Sequence, residues 1–89
     1  MNENVLVIDD EEVMRDVLQT LLEEAGYKVT LAHDGIEGLA LARKQPYEAA
    51  IVDVMLPEMG GLDVLEELKK VDPELVVLMI TAFASLETA

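Results

Sequence analysis

Three aspartates in this sequence stand where carboxylates can act together. Asp9 and Asp10 follow the aliphatic run from Val5 to Ile8, and Asp53 follows Ala49 to Val52. Each run is too short for a helix and apolar throughout, which reads as a buried strand. Two such strands lying parallel would deliver all three carboxylates to one edge of one sheet. Neither "DDEE" nor "DVMLPE", the segments that hold them, contains a Lys or Arg. In the empty protein their mutual repulsion should raise at least one pKa or strain the site, and a hard divalent cation would relieve it. Clustered oxygen ligands with room for water and a phosphate oxygen suit Mg²⁺ or Mn²⁺. Glu11 and Glu12 have a plainer explanation, because acids in a first helical turn favour the helix dipole. That explanation fails for Asp53, which is followed by Val54, Met55, Leu56 and Pro57 rather than by a helix.

The elements that must position these groups alternate along the chain. From Glu11, Val13, Val17, Leu21 and Leu22 recur at helical spacing with Met14, Leu18 and Ala25 beside them, and Gly26 supplies a stop. "YKVTLA" then alternates apolar and polar residues, the pattern of an edge strand with one buried face. Asp34 and Gly35 open a second helix that must end before Pro46. After the strand ending at Asp53 comes a loop with Pro57, Gly60 and Gly61, then a helix marked by Leu62, Leu65 and Leu68 and closed by Asp72-Pro73. "LVVLMI" is a fourth strand, and Ser85 is placed to cap a further helix. Strand and helix in alternation predict an α/β fold, a doubly wound parallel sheet of order 2-1-3-4. The order reverses between strands 1 and 3, where such sheets bind ligands. Strand 4 is apolar at every position, as an interior strand would be, yet no fifth strand follows. The expectation is one domain over residues 1–89 that stops short of its fold, with self-association through exposed strand 4.

Composition narrows the function. Hydrophobic residues make up 52% of the chain and aromatics 3%, so the core must be aliphatic. There is no cysteine, which excludes disulfides and thiolate metal sites. Nineteen acids against six bases give a net charge of -13, which argues against direct nucleic acid binding. No stretch approaches the roughly 20 apolar residues of a membrane span, and the first residues lack the basic start of a signal peptide. A cytoplasmic location is the expectation.

"VLVIDDEE", "AAIVDVMLPEMGGLDVLEEL" and "LVVLMITAFASLETA" resemble the receiver domain of two-component response regulators. The last stretch is similar to receivers of sigma-54-dependent transcription activators. The resemblance implies a flavodoxin-like receiver fold that here lacks strand 5 and helix 5. It implies that Asp53 is the phosphoacceptor, taking a phosphoryl group from a sensor histidine kinase. Asp10 would ligate Mg²⁺ directly, Asp9 through water, and Met55 through its backbone carbonyl. Thr81 would donate its hydroxyl to the phosphoryl group, with small Ala82 leaving access, and an output domain, transcriptional in kind, would read the result. The lysine that such receivers place after strand 5 has no counterpart in this chain, and Lys69 and Lys70 are expected to be solvated. The chain as it stands is therefore expected to bind metal but to accept phosphate poorly.

Competing readings are weaker. A haloacid-dehalogenase-type phosphohydrolase needs a second Asp where Met55 stands. A flavodoxin-like flavin carrier would meet repulsion from residues 9–12 where its phosphate should sit. His33, the only histidine, has no activating neighbour in sequence and reads as a surface loop residue. The remaining rival is a non-phosphorylatable receiver-like scaffold that only binds partners.

Overall fold

A computed structural model describes residues 3–81. Ala82, the capping position Ser85 and the helix expected after it lie outside the described residues. Within them the order is β1 (Asn4–Ile8), α1 (Glu12–Glu24), β2 (Lys28–Ala32), α2 (Gly35–Lys44), β3 (Ala49–Asp53), α3 (Gly61–Val71) and β4 (Val76–Ile80). The four strands form one parallel sheet of order β2-β1-β3-β4, as the strand patterns imply.

Continuous apolar strands serve two faces at once. Leu6 and Ile8 of β1, with Ala50 and Val52 of β3, pack in one cluster with Leu39 of α2 and Val64 and Leu68 of α3. Val5, Val7 and Ile51, the alternate residues of the same strands, pack with Leu18 and Leu22 of α1. Helices therefore cover both sides of the central pair, which is why neither strand shows the polar alternation of a half-solvated sheet.

Local chemistry sets the helix ends. α1 stops at Gly26, whose φ of 100° is the left-handed geometry that glycine adopts without strain. The Gly26 N–H donates to the Glu23 carbonyl and the Tyr27 N–H to the Leu22 carbonyl, both at 3.0 Å, the paired bonds of a Schellman stop. Asp34 caps α2 by accepting from the Glu37 N–H at 2.8 Å.

Two helices turn differently from their sequence patterns. α1 packs through Leu18 and Leu22, whereas Val13, Val17 and Leu21 are exposed. It packs chiefly over β2 and β1, and Val13, Val17 and Leu21 lie on the side of its apolar stripe left exposed. In α3 the buried residues are Gly61, Val64 and Leu68, and Leu62 is 66% exposed. β4 is an edge among the described residues, and Val76 and Leu78 are 55% and 54% exposed on the face that α1 leaves bare.

The α3 reading is directly testable. Leu68→Ala should cost about 2–5 kcal/mol in urea denaturation, because it empties a fully buried site. Leu62→Ser should stay within about 0.5 kcal/mol of the parent. Equal losses would show that α3 presents the face its leucine spacing suggested.

Candidate functional site

The pairing of β1 with β3 builds the site. Ile8 lies opposite Val52, so the next residue of each chain, Asp9 and Asp53, arrives at the same carboxyl edge of the sheet. Asp10 follows on the turn into α1. One carboxylate oxygen from each of Asp9, Asp10 and Asp53 lies within 4.8 Å of the others. Asp9 is 2% and Asp53 9% exposed, while Asp10 faces solvent.

Backbone amides hold the two buried members in the same way. The Glu11 N–H donates to Asp9 Oδ1 at 2.9 Å, and the Met55 N–H donates to Asp53 Oδ1 at 2.9 Å. Each is a side-chain turn of the kind Asp forms two residues ahead of itself, and each commits one oxygen while the second stays available. The Asp9 N–H in turn donates to the Ala32 carbonyl of β2 at 3.1 Å, tying the acidic turn to the edge strand. Glu11 is the N-cap of α1 without a side-chain cap bond, and Glu12 lies in its first turn, as expected of acids at a helix start.

A cation does stand nearby, which the local sequence does not suggest. Arg15, one turn into α1, donates from its guanidinium to the Asp9 backbone carbonyl at 2.7 Å. It fixes the turn without pairing with a carboxylate, since no ion pair among the described residues involves Asp9, Asp10 or Asp53. The charge cluster thus stays uncompensated. Burial pushes the Asp9 carboxyl above its ordinary value, the Glu11 amide partly offsets this, and repulsion from Asp53, Asp10 and Glu11 adds to the rise.

The loop after Asp53 depends on a close approach. A Cβ on Gly61 would lie 2.5 Å from the Asp53 carbonyl oxygen and 2.7 Å from Val54 Cα, so a side chain there would push α3 away from the end of β3. Read from sequence, the Gly60-Gly61 pair belongs to the loop before α3. In the fold Gly60 is the N-cap, and Gly61 is the contact that lets the loop close.

The other candidates separate cleanly. Met55 stays at the site through its backbone, with its side chain 63% exposed. Thr81 is half-buried one residue beyond β4, at the same carboxyl edge, where the Val54 N–H donates to the Ile80 carbonyl at 2.8 Å. Lys69 is not simply solvated: its ammonium donates to the Pro73 carbonyl at 3.2 Å and the Leu75 carbonyl at 2.5 Å. Those carbonyls precede β4, at the opposite end of the sheet from Asp53. Lys70 pairs on the surface with Glu67 at 3.1 Å. His33 is a surface residue, but it has neighbours that the sequence reading did not assign, Glu37 at 2.6 Å and Asp34 at 3.2 Å.

A cluster of three carboxylates, two of them buried, at the switch point of a parallel sheet narrows the choice of family, and the sequence pattern of the response regulator receiver domain matches residues 5–89. The chain belongs to that family. Over 83 residues it is 43% identical to the uncharacterized transcriptional regulatory protein YkoG of Bacillus subtilis, covering 93% of this chain and 36% of YkoG. It superposes with a TM-score of 0.89 and 34% identity on a CheY-like receiver from Methanospirillum hungatei, covering 98% of this chain and 70% of that one. A response regulator from Burkholderia pseudomallei, solved with a phosphorylated aspartic acid, a calcium ion and citrate, matches with a TM-score of 0.87 and 39% identity over 99% of this chain and 52% of that one. This receiver chain therefore spans about a third of the length of YkoG. No helix among its described residues is long and apolar enough to cross a membrane.

An acid whose pKa is raised by folding costs stability once ionised, a penalty absent below its unfolded pKa and complete above its folded one. Asp9→Asn keeps the oxygen that accepts from Glu11 and removes the charge. In chelator at about pH 7 it should melt several degrees above the parent, and the gap should close as pH falls through the raised Asp9 pKa. A gap that is unchanged across that range, or reversed at neutral pH, would show that burial of charge is not what destabilises this turn.

Proposed function

We propose that this chain is the phosphoacceptor receiver module of a two-component system, with Asp53 as the residue phosphorylated. The observation that carries the reading is the convergence of Asp9, Asp10 and Asp53 on one crevice, with one Asp53 oxygen held by the Met55 N–H and the other available. The donor set fits a hard divalent cation, Mg²⁺ or Mn²⁺: three carboxylates, no soft ligand and no competing ammonium. Asp9, Asp10, Asp53 and the Met55 carbonyl are the groups that would hold it. Such a cation supplies positive charge where phosphoryl transfer spreads negative charge over the equatorial oxygens.

The chain's own residues do the rest. The free Asp53 carboxylate oxygen attacks the phosphorus of a phosphohistidine on a sensor histidine kinase. A P–O bond forms, the P–N bond breaks, and its electron pair returns to the imidazole nitrogen, which takes up a proton. The Met55 amide keeps Asp53 oriented for in-line attack, and the Thr81 hydroxyl donates to the new phosphoryl oxygens. Ala82 flanks that hydroxyl in sequence. The phosphorylated receiver then acts on an output domain elsewhere in its parent protein, transcriptional in kind and cytoplasmic in location, and makes no nucleic acid contact itself.

Intact mass after incubation with Mg²⁺ and acetyl phosphate should show a phosphoryl adduct that builds up slowly and incompletely on the parent, because no described Lys or Arg pairs with the cluster, and none on Asp53→Asn or in chelator. An adduct that persists on Asp53→Asn would remove Asp53 from the role. The scaffold reading draws on the lack of any described Lys or Arg paired with the cluster. Under it Mg²⁺ would leave the melting temperature unchanged, whereas a metal site predicts a rise that Asp10→Ala abolishes.

The β4 edge, unpaired among the described residues, supports a further partner, a second copy of this chain paired through β4. Sedimentation of the 89-residue chain should show concentration-dependent dimerisation, weakened by Leu78→Lys. A monomer at every accessible concentration would discard this arrangement.

A further inference from the structure

A second surface lies apart from the carboxylate crevice, in a groove of about 500 Å³ between α2 and α3. Its floor is apolar: Leu39 is buried, Met59 is half-buried, and Ile36 stands at the mouth 62% exposed. An isoleucine so exposed leaves most of its surface unpacked in the described fold. One rim carries Glu58, Asp63, Glu66 and Glu67, and Arg43 is the only base among the lining residues. Glu67 has Lys70 as a partner, but Glu58, Asp63, Glu66 and Arg43 form no ion pair among the described residues. Glu58 is also held at φ 64°, the one non-glycine residue with positive φ among those described. A glutamate in the left-handed region costs conformational energy that glycine would not.

We propose that this groove docks a basic amphipathic helix of a partner protein. Apolar anchors one turn apart would seat on Ile36, Leu39 and Met59, and flanking lysines or arginines would meet the acidic rim. Charge selects this occupant over the alternatives. A second copy of this chain carries a net charge of -13 and would bring more acid to an acidic rim. Nucleic acid and anionic lipid are repelled on the same ground. The groove also suits a helix in length, because α3 has 11 residues and so spans about 16 Å, three turns of a partner. The docking surface is independent of the phosphoacceptor assignment, since none of its lining residues belongs to the carboxylate cluster.

The probe is a synthetic peptide of about 15 leucines and lysines, with leucine at helical i, i+3, i+4 and i+7 positions. Its control has the same composition with leucines scattered around all faces. The patterned peptide should shift backbone amide resonances along α2 and α3, at Ile36, Leu39, Asp63 and Glu66. Ile36→Ser and Glu66→Lys, both at exposed positions, should each weaken binding about tenfold. Val17→Ser on α1 should leave it unchanged. Glu58→Gly should raise the melting temperature yet weaken the peptide, which separates the rim charge from backbone strain. Equal binding of the scrambled peptide would reduce the surface to bulk charge and overturn the proposal. So would resonance shifts centred on α1 or on Asp9 and Asp53, or undiminished binding to Ile36→Ser in a folded protein.

Discussion

The parallel pairing of β1 with β3 sets two buried carboxylates side by side and an exposed third close by, in a crevice where no side-chain cation among the described residues pairs with them. Burial of Asp9 and, after it, repulsion from its acidic neighbours oppose the folded state, and the rise in the Asp9 pKa is the local sign of that opposition. The surrounding structure is arranged to hold the arrangement anyway. Amides from Glu11 and Met55 grip one oxygen each, Arg15 clamps the Asp9 carbonyl, and the buried sheet supplies the apolar free energy. The site is tolerated because the core is built from the same two strands that create it.

This dependence explains why so much of the fold was legible in sequence. Val5 to Ile8 and Ala49 to Val52 are apolar at every position because both faces of the central strands are covered, and that fixes a parallel sheet between helix layers. Strand order follows from which runs are continuous and which alternate. Asp9, Asp10 and Asp53 follow from where those runs end. Periodicity and chain order carry this information directly.

What escaped the sequence is tertiary. The α1 stripe is wider than the surface beneath it, so spacing alone could not separate packed Leu18 and Leu22 from exposed Val13, Val17 and Leu21. Arg15 and Lys69 reach backbone carbonyls six residues away along the chain. Composition records such residues only as surface charge, because the acceptor is a carbonyl that every residue possesses. Gly61 reads as an ordinary loop glycine until the Asp53 carbonyl is seen at the place a methyl group would occupy. In each case the deciding neighbour is close in space and silent in the local pattern.

β1 pairs with β2 through Val5 and Val29, and with β3 through Val5 and Ala49. The first pairing closes a shorter loop than the second, so chain entropy favours a β1-α1-β2 unit forming before β3 arrives. In that unit Asp9 and Asp10 have no third carboxylate to oppose. The electrostatic cost of the crevice enters only when the longer loop closes, after half the sheet is in place. A lesion that loosens β3 would therefore strip β1 of its packing partners on both faces as it dissolves the crevice, so site and fold are lost together.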